Sequence, residues 1–174
     1  MPLQKVALVL GGASSGKSAF AEGLVTGTGL SRVYLATAQA WDAEMTAKIA
    51  RHRESRGPLW RTVEAPLDPV PALRNVMPTE AVLIDCATLW LTNLILADAD
   101  LAAAETELLD AIHACPAPVV IVSNEVGLGI VPETPLGRRF RDAQGGLNQR
   151  LAARADLVVF VAAGLPMVLK GALP

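Results

Sequence analysis

The 174-residue sequence holds only two cysteines, Cys86 and Cys115, and two histidines, His52 and His113. Two cysteines are too few for a disulfide scaffold, and no Cys/His spacing matches a zinc site. A reducing, cytoplasmic setting is the expectation. Long apolar runs are also missing. The longest candidates are Val6–Leu10 and Ala87–Ala97, the second broken by Thr88, Thr92 and Asn93. Neither approaches the about 20 residues of a membrane-spanning helix, so no stable membrane insertion is expected. There is no excess of basic residues: 15 Lys and Arg stand against 17 Asp and Glu, a net charge of −2. That balance argues against a dedicated nucleic-acid or anionic-membrane binder. Charged residues make up only 18% and hydrophobic ones 52%, which excludes intrinsic disorder.

What the sequence does contain is an alternation of short apolar runs and helix-like stretches. Strands are predicted over Lys5–Leu10, Arg32–Ala36, Ala81–Asp85, Val119–Ser123 and Leu157–Ala163, the last in the chain, with a short edge strand at Trp60–Val63. Helices are predicted over Lys17–Thr26, Asp42–Arg56, Ala72–Val76, Leu89–Ala97, Leu101–Ala114 and Leu136–Ala155, the last weakened by Gly145 and Gly146. Near-continuous apolar strands separated by helices imply a mostly parallel sheet covered on both faces, an α/β fold. The length fits one domain spanning residues 1–174. Ligands bind such sheets beyond the carboxyl ends of the strands. The loops after Leu10, Ala36, Asp85 and Asn124 are therefore expected to gather around one site.

The first of those loops, Gly11-Gly12-Ala13-Ser14-Ser15-Gly16-Lys17-Ser18, fits G-x-x-x-x-G-K-[ST]. Glycines let the backbone wrap phosphate oxygens while amide N–H groups and the helix N-terminus point at the anion. Lys17 would reach the β- and γ-phosphates, and Ser18 would offer its hydroxyl to magnesium. The strand ending in Asp85 presents a carboxylate where a Walker-B magnesium ligand stands. These features define a P-loop nucleotide enzyme without naming its acceptor.

His52 lies in a cationic group, with Lys48, Arg51, Arg53 and Arg56 on one predicted helix. Spacing alone leaves three readings open: a solvated charged face, a buried satisfied histidine, or a catalytic group. The chemical case is that a neutral imidazole can attack phosphorus and form a phosphoramidate. Surrounding cations would stabilise the charge on the leaving pyrophosphate. His113, near a helix C-terminus, is read as a favourable partner of the helix dipole.

Taken together, GGASSGKS at 11–18, YLATAQ at 34–39, DAEMTAKIARHRESRGPLWRTVEAP at 42–66, LIDCATLWLTNLI at 83–95 and SNEVGLGIVPETPLGRRFRDAQGGLNQRLAARAD at 123–156 resemble a known family. It is the bifunctional adenosylcobinamide kinase / adenosylcobinamide-phosphate guanylyltransferase family of cobalamin biosynthesis. The resemblance implies a RecA-like P-loop fold, three-layered around a mostly parallel central sheet, and a homo-oligomer, specifically a trimer. It implies two reactions. ATP or GTP phosphorylates adenosylcobinamide. GTP then guanylylates an enzyme histidine, and the GMP passes to adenosylcobinamide phosphate, giving adenosylcobinamide-GDP. The family histidine corresponds to His52, catalytic together with Lys17. Nucleotide contacts map onto the phosphate loop and onto Ala36, Thr37, Ala38, Arg53, Glu54, Ser55, Arg56, Glu64 and Asp85. Mg2+ is implied on Ser18 and Asp85.

The sequence departs from the family pattern at three points: Ser14 stands where the family phosphate loop commonly has Arg, Arg51 where some members have a second histidine, and Asp85 where some have Glu. Several residues keep simple readings. Gly127 and Gly129 suit a tight turn, Glu125 a cap or a solvated position, and Arg138, Arg139 and Arg141 a solvated helix face. The resemblance makes residues 123–132 a substrate-facing loop. Trp41, Trp60 and Trp90 are read as packing or interface residues. Leu89–Leu96, apolar on more than one face, is expected at a subunit interface.

Overall fold

A computed structural model describes residues 3–39 and 57–174. The first element, β1 (Val6–Gly11), is buried along its whole length. The phosphate loop leads into α1 (Lys17–Thr26), which ends at Gly27. Strand β2 is Ser31–Ala36, and β3 is Trp60–Glu64. A single turn of helix, α2 (Val70–Arg74), accepts Pro71 because its first-turn N–H groups need no helical partner. Then come β4 (Glu80–Asp85), α3 (Ala87–Leu96) and α4 (Leu101–Ala114). Asp100 caps α4 by accepting from the Ala103 N–H at 3.1 Å. Strand β5 (Val119–Asn124) leads through a ten-residue loop into α5 (Pro135–Arg154), capped by Thr134. The chain closes with β6 (Leu157–Ala162) and β7 (Leu165–Lys170).

Among the described residues, seven strands form one sheet in the order β3-β2-β4-β5-β1-β6-β7. All neighbours are parallel except β6 and β7. Side chains alternate between the two faces. Val6, Leu8 and Leu10 meet α2 through α5 in one core, with Trp90, Leu94, Leu109 and Leu147. Ala7 and Val9 meet Ala21, Leu24 and Val25 of α1 in the other. The expected edge strand at Trp60 is the edge, and Trp60 packs edge-to-face on Tyr34 at 6.2 Å between ring centres.

The structure corrects several expectations. Leu157–Ala162 is not the last strand: β7 follows it across a two-residue turn with φ +53° at Ala163 and +77° at Gly164. That is a type I′ hairpin, but alanine stands where Asn or Asp usually signals it. Pro166 further disguises the strand, although an edge position tolerates proline. Helix α5 runs unbroken through Gly145 and Gly146, held by buried Gln144, Leu147, Asn148 and Leu151 on one face. Helix α2 begins two residues before the expected Ala72. The apolarity of α3 has an internal cause. Ala87, Trp90, Leu91, Leu94 and Ile95 are all buried within the chain, so the ground for placing 89–96 at a subunit interface disappears. The helix expected over 42–56 and the Trp41 side chain lie outside the described residues.

Candidate nucleotide site

Because β1, β2, β4 and β5 are parallel neighbours, their carboxyl ends open on one rim of the sheet. Alternation decides which side each rim residue takes. Asp85 shares its face with Leu83 and so lies on the α1 side, as does Tyr34. Strand β5 separates β4 from β1, leaving Asp85 and the phosphate loop two strand spacings apart, about 10 Å. That width suits a phosphate chain lying between them.

The phosphate loop is tightly wound. Lys17 is 9% exposed, and its Nζ donates to the Gly12 carbonyl oxygen at 2.9 Å, folding the side chain back over the loop. Gly16 has φ +92°, which an L side chain rarely adopts, and a Cβ there would stand 3.0 Å from the Gly164 Cα. At Gly11 a Cβ would stand 2.6 Å from the Val161 carbonyl oxygen. Ser14 also has a positive φ, +53°. Two outside elements grip the loop: the Gly164 N–H donates to the Ser15 carbonyl at 2.8 Å, and the Glu125 N–H donates to the Gly11 carbonyl at 3.0 Å.

On the Asp85 side, the Tyr34 hydroxyl donates to Oδ2 of the carboxylate at 2.8 Å. The Asp85–Cys86 peptide bond is cis. Thr37, fully buried, donates its hydroxyl to the Cys86 carbonyl at 2.7 Å and accepts from the Cys86 N–H at 2.8 Å. Its own N–H reaches the Asp85 carbonyl at 3.2 Å. Asn93 of α3 donates to the carbonyls of Thr37 and Pro66 at 2.8 and 2.9 Å. Ala36 pairs in register with both Glu64 and Asp85, so these three stand in a row along the rim. Glu64 is exposed and Ala38 half-buried. Burial, and then the neighbouring Asp85 charge, push the Cys86 thiol up to about 11.

The end of β5 is held by a buried network. Asn148 donates to the Asn124 carbonyl at 3.1 Å, the Ser123 hydroxyl donates to Asn148 Oδ1 at 2.6 Å, and Gln144 donates to both Ser123 and Asn148. The Asn124 N–H donates to the Thr88 hydroxyl at 2.8 Å. Arg138 is not a simple solvated residue: it donates to the carbonyls of Pro132 and Glu133 at 2.9 and 2.8 Å. Arg139 is exposed, and Arg141 pairs with Asp142.

Among the sequence-predicted site residues, the structure brings Gly11 to Ser18 and the row Glu64, Ala36 and Asp85 to one rim, with Thr37 bridging β2 and β4. His52, Arg53, Glu54, Ser55 and Arg56 lie outside the described residues. Three supporting residues escaped the sequence reading. Tyr34 and Asn93 sat inside the quoted motifs without a role, and Gly164 belongs to the unrecognised hairpin. Among the described residues no group of three His, Cys, Asp or Glu is placed to cage a metal. The Ser18 hydroxyl and Asp85 carboxylate are hard oxygen donors, a set that fits Mg2+ shared with nucleotide phosphates.

Comparison with known proteins follows the same direction. A family model described as cobinamide kinase / cobinamide phosphate guanyltransferase matches residues 7–169. The bifunctional adenosylcobalamin biosynthesis protein CobP of Pseudomonas aeruginosa is 48% identical over 167 residues, covering 94% of this chain and 96% of that protein. The corresponding CobU of Salmonella typhimurium is 43% identical over 180 residues, covering 94% and 98%. Among solved structures, the flagellar accessory protein FlaH from Methanocaldococcus jannaschii matches with a TM-score of 0.54 at 12% identity, over 98% of this chain and 80% of that one. An ATPase from a type III secretion system matches with a TM-score of 0.50 at 8% identity, over 95% and 57%. These structural likenesses show the fold, a RecA-like P-loop α/β architecture.

Proposed function

Because the chain belongs to the cobinamide kinase / cobinamide phosphate guanyltransferase family, we propose that one phosphate loop serves both of its reactions and that His52 carries the GMP. The acceptors are adenosylcobinamide and adenosylcobinamide phosphate, and the nucleotides are ATP or GTP in the first step and GTP in the second. The observation that carries the reading is the rim itself. A phosphate loop gripped from two sides faces a carboxylate held by Tyr34, with one strand between them.

In the kinase reaction, the loop N–H groups and Lys17 hold the triphosphate and stabilise charge on the transferring γ-phosphoryl. The acceptor hydroxyl attacks in line: its oxygen–phosphorus bond forms as the β,γ-bridge breaks, nucleoside diphosphate leaves, and the hydroxyl proton passes to solvent. Ser18 and Asp85 would hold Mg2+. When bound, that ion neutralises phosphate charge. In the second reaction the His52 imidazole attacks the α-phosphorus of GTP, and pyrophosphate leaves. The phosphate of adenosylcobinamide phosphate then displaces the histidine and takes the GMP. Arg53, Glu54, Ser55, Arg56, Glu64 and the Ala36, Thr37 and Ala38 stretch complete the nucleotide site.

The whole chain acts as one domain in the cytoplasm, and no described helix is long and apolar enough to cross a membrane. It works as a homo-oligomer, a trimer by its resemblance to the family, and the exposed apolar residues Leu165, Met167 and Leu169 on β7 offer surface for association. The test is incubation with α-labelled GTP and magnesium, comparing the parent protein with His52→Ala. An acid-labile, base-stable label on the parent and none on the variant is the expected result. No label on the parent, with adenosylcobinamide still phosphorylated, would reduce the protein to a kinase.

A further inference from the structure

Beside the phosphate loop lies an exposed apolar surface. The loop over 125–134 leaves the carboxyl end of β5 and holds Leu128, Ile130 and Val131 in solvent, at 83, 97 and 65% exposure. Large aliphatic side chains grouped in water on the ligand side of a sheet mark a binding surface rather than packing. The loop is also fastened at both ends. At its start the Glu125 N–H is bonded to Gly11 at 3.0 Å, and the Glu125 carboxylate accepts from the Gly127 N–H at 2.5 Å. At its end Arg138 binds two successive carbonyls, those of Pro132 and Glu133. The three side chains are therefore presented by a framed loop continuous with the phosphate site.

We propose that Leu128, Ile130 and Val131 form the seat of the acceptor's corrin ring. The inference rests on the reading that the acceptor is a cobinamide. That molecule reacts through a hydroxyl, or its phosphate, at the end of one arm. With the arm's end at the nucleotide phosphates, the broad ring must lie outside the phosphate loop, against whatever flanks it. On the β5 side the flank is this loop. Its chemistry is complementary to the ring. The ring has apolar faces and an uncharged amide fringe, while residues 126–132 carry no charge. The exposed Gly127 and Gly129 leave peptide groups open to amides.

The test is the double variant Leu128→Ser, Ile130→Ser. KM for cobinamide is expected to rise by about tenfold or more, the loss of two apolar contacts, with KM for the nucleotide within about twofold of the parent. Equilibrium dialysis of cobinamide, followed by its own visible absorbance, is expected to show the same weakening. An unchanged KM and unchanged dialysis would overturn the seat while leaving the proposed reactions standing. A parent protein that neither binds nor turns over cobinamide would overturn both. A variant whose mass by light scattering falls below that of the parent would reassign the loop to a contact between copies and overturn the proposal as well.

Discussion

Thr37 does more for the site than its single hydroxyl suggests. It satisfies both the N–H and the C=O of Cys86, a buried residue beside Asp85, and it has no access to water itself. Thr37→Val keeps the shape and leaves the buried Cys86 N–H without an acceptor, while the Cys86 carbonyl keeps the Trp90 N–H at 3.2 Å, so a loss of about 1–3 kcal/mol is expected in urea unfolding, with Thr37→Ser close to the parent. Cys86 provides a pH signature. The folded protein holds its thiol proton to about 11, against 9.0 for a free thiol. Between those values the unfolded chain binds fewer protons than the folded one, so stability falls as pH rises. A decline of roughly 2–3 kcal/mol from this group is expected between pH 9 and 11. Cys86→Ser, which can still cap α3, should flatten it in urea titrations at successive pH values. Cys115, also raised by burial, contributes a decline in the same direction that this variant retains. At this scale the sequence was legible where a motif fixes a place in the fold, as for Lys17 at the start of α1 and Asp85 at the end of β4. Tyr34 and Thr37 were harder, because their roles arise from partners 51 and 49 residues away.

The β6–β7 hairpin is the element that ties the far end of the chain to the phosphate loop. Its turn presents the Gly164 N–H to Ser15 and sets the Gly164 Cα 3.0 Å from where a Cβ on Gly16 would stand. Gly16→Ala is expected to lower stability by about 1–2 kcal/mol through its left-handed backbone alone. Crowding of the Gly164 Cα should weaken nucleotide binding further, which a fluorescent nucleotide titration would register. Helix starts and buried strands were readable because their signals are local: Asp100 before α4, Gly27 after α1, apolar runs in β1 and β5. Strand β7 was not readable. Its residues are exposed throughout, so no alternation marks an inward face, and proline interrupts it.

At the scale of the molecule, strand order was the part that sequence did not disclose. Alternating strands and helices dictate a parallel sheet, but they are silent on β5 entering between β1 and β4. That insertion sets the separation of Lys17 and Asp85, and it brings the 125–134 loop to the phosphate site. A local pattern cannot specify it, because it depends on which buried faces fit together.

The same order has a consequence for the protein's synthesis. Strand β1 leaves the ribosome well before both of its neighbours, which are residues 119–124 and 157–162. The nascent phosphate loop therefore waits for the distant β5 and β6 segments before its cradle closes. Until β6 and its hairpin have emerged, Ser15 lacks its Gly164 partner and β1 is an open edge. A fully braced phosphate loop is thus reserved for a chain synthesised past the β6–β7 hairpin.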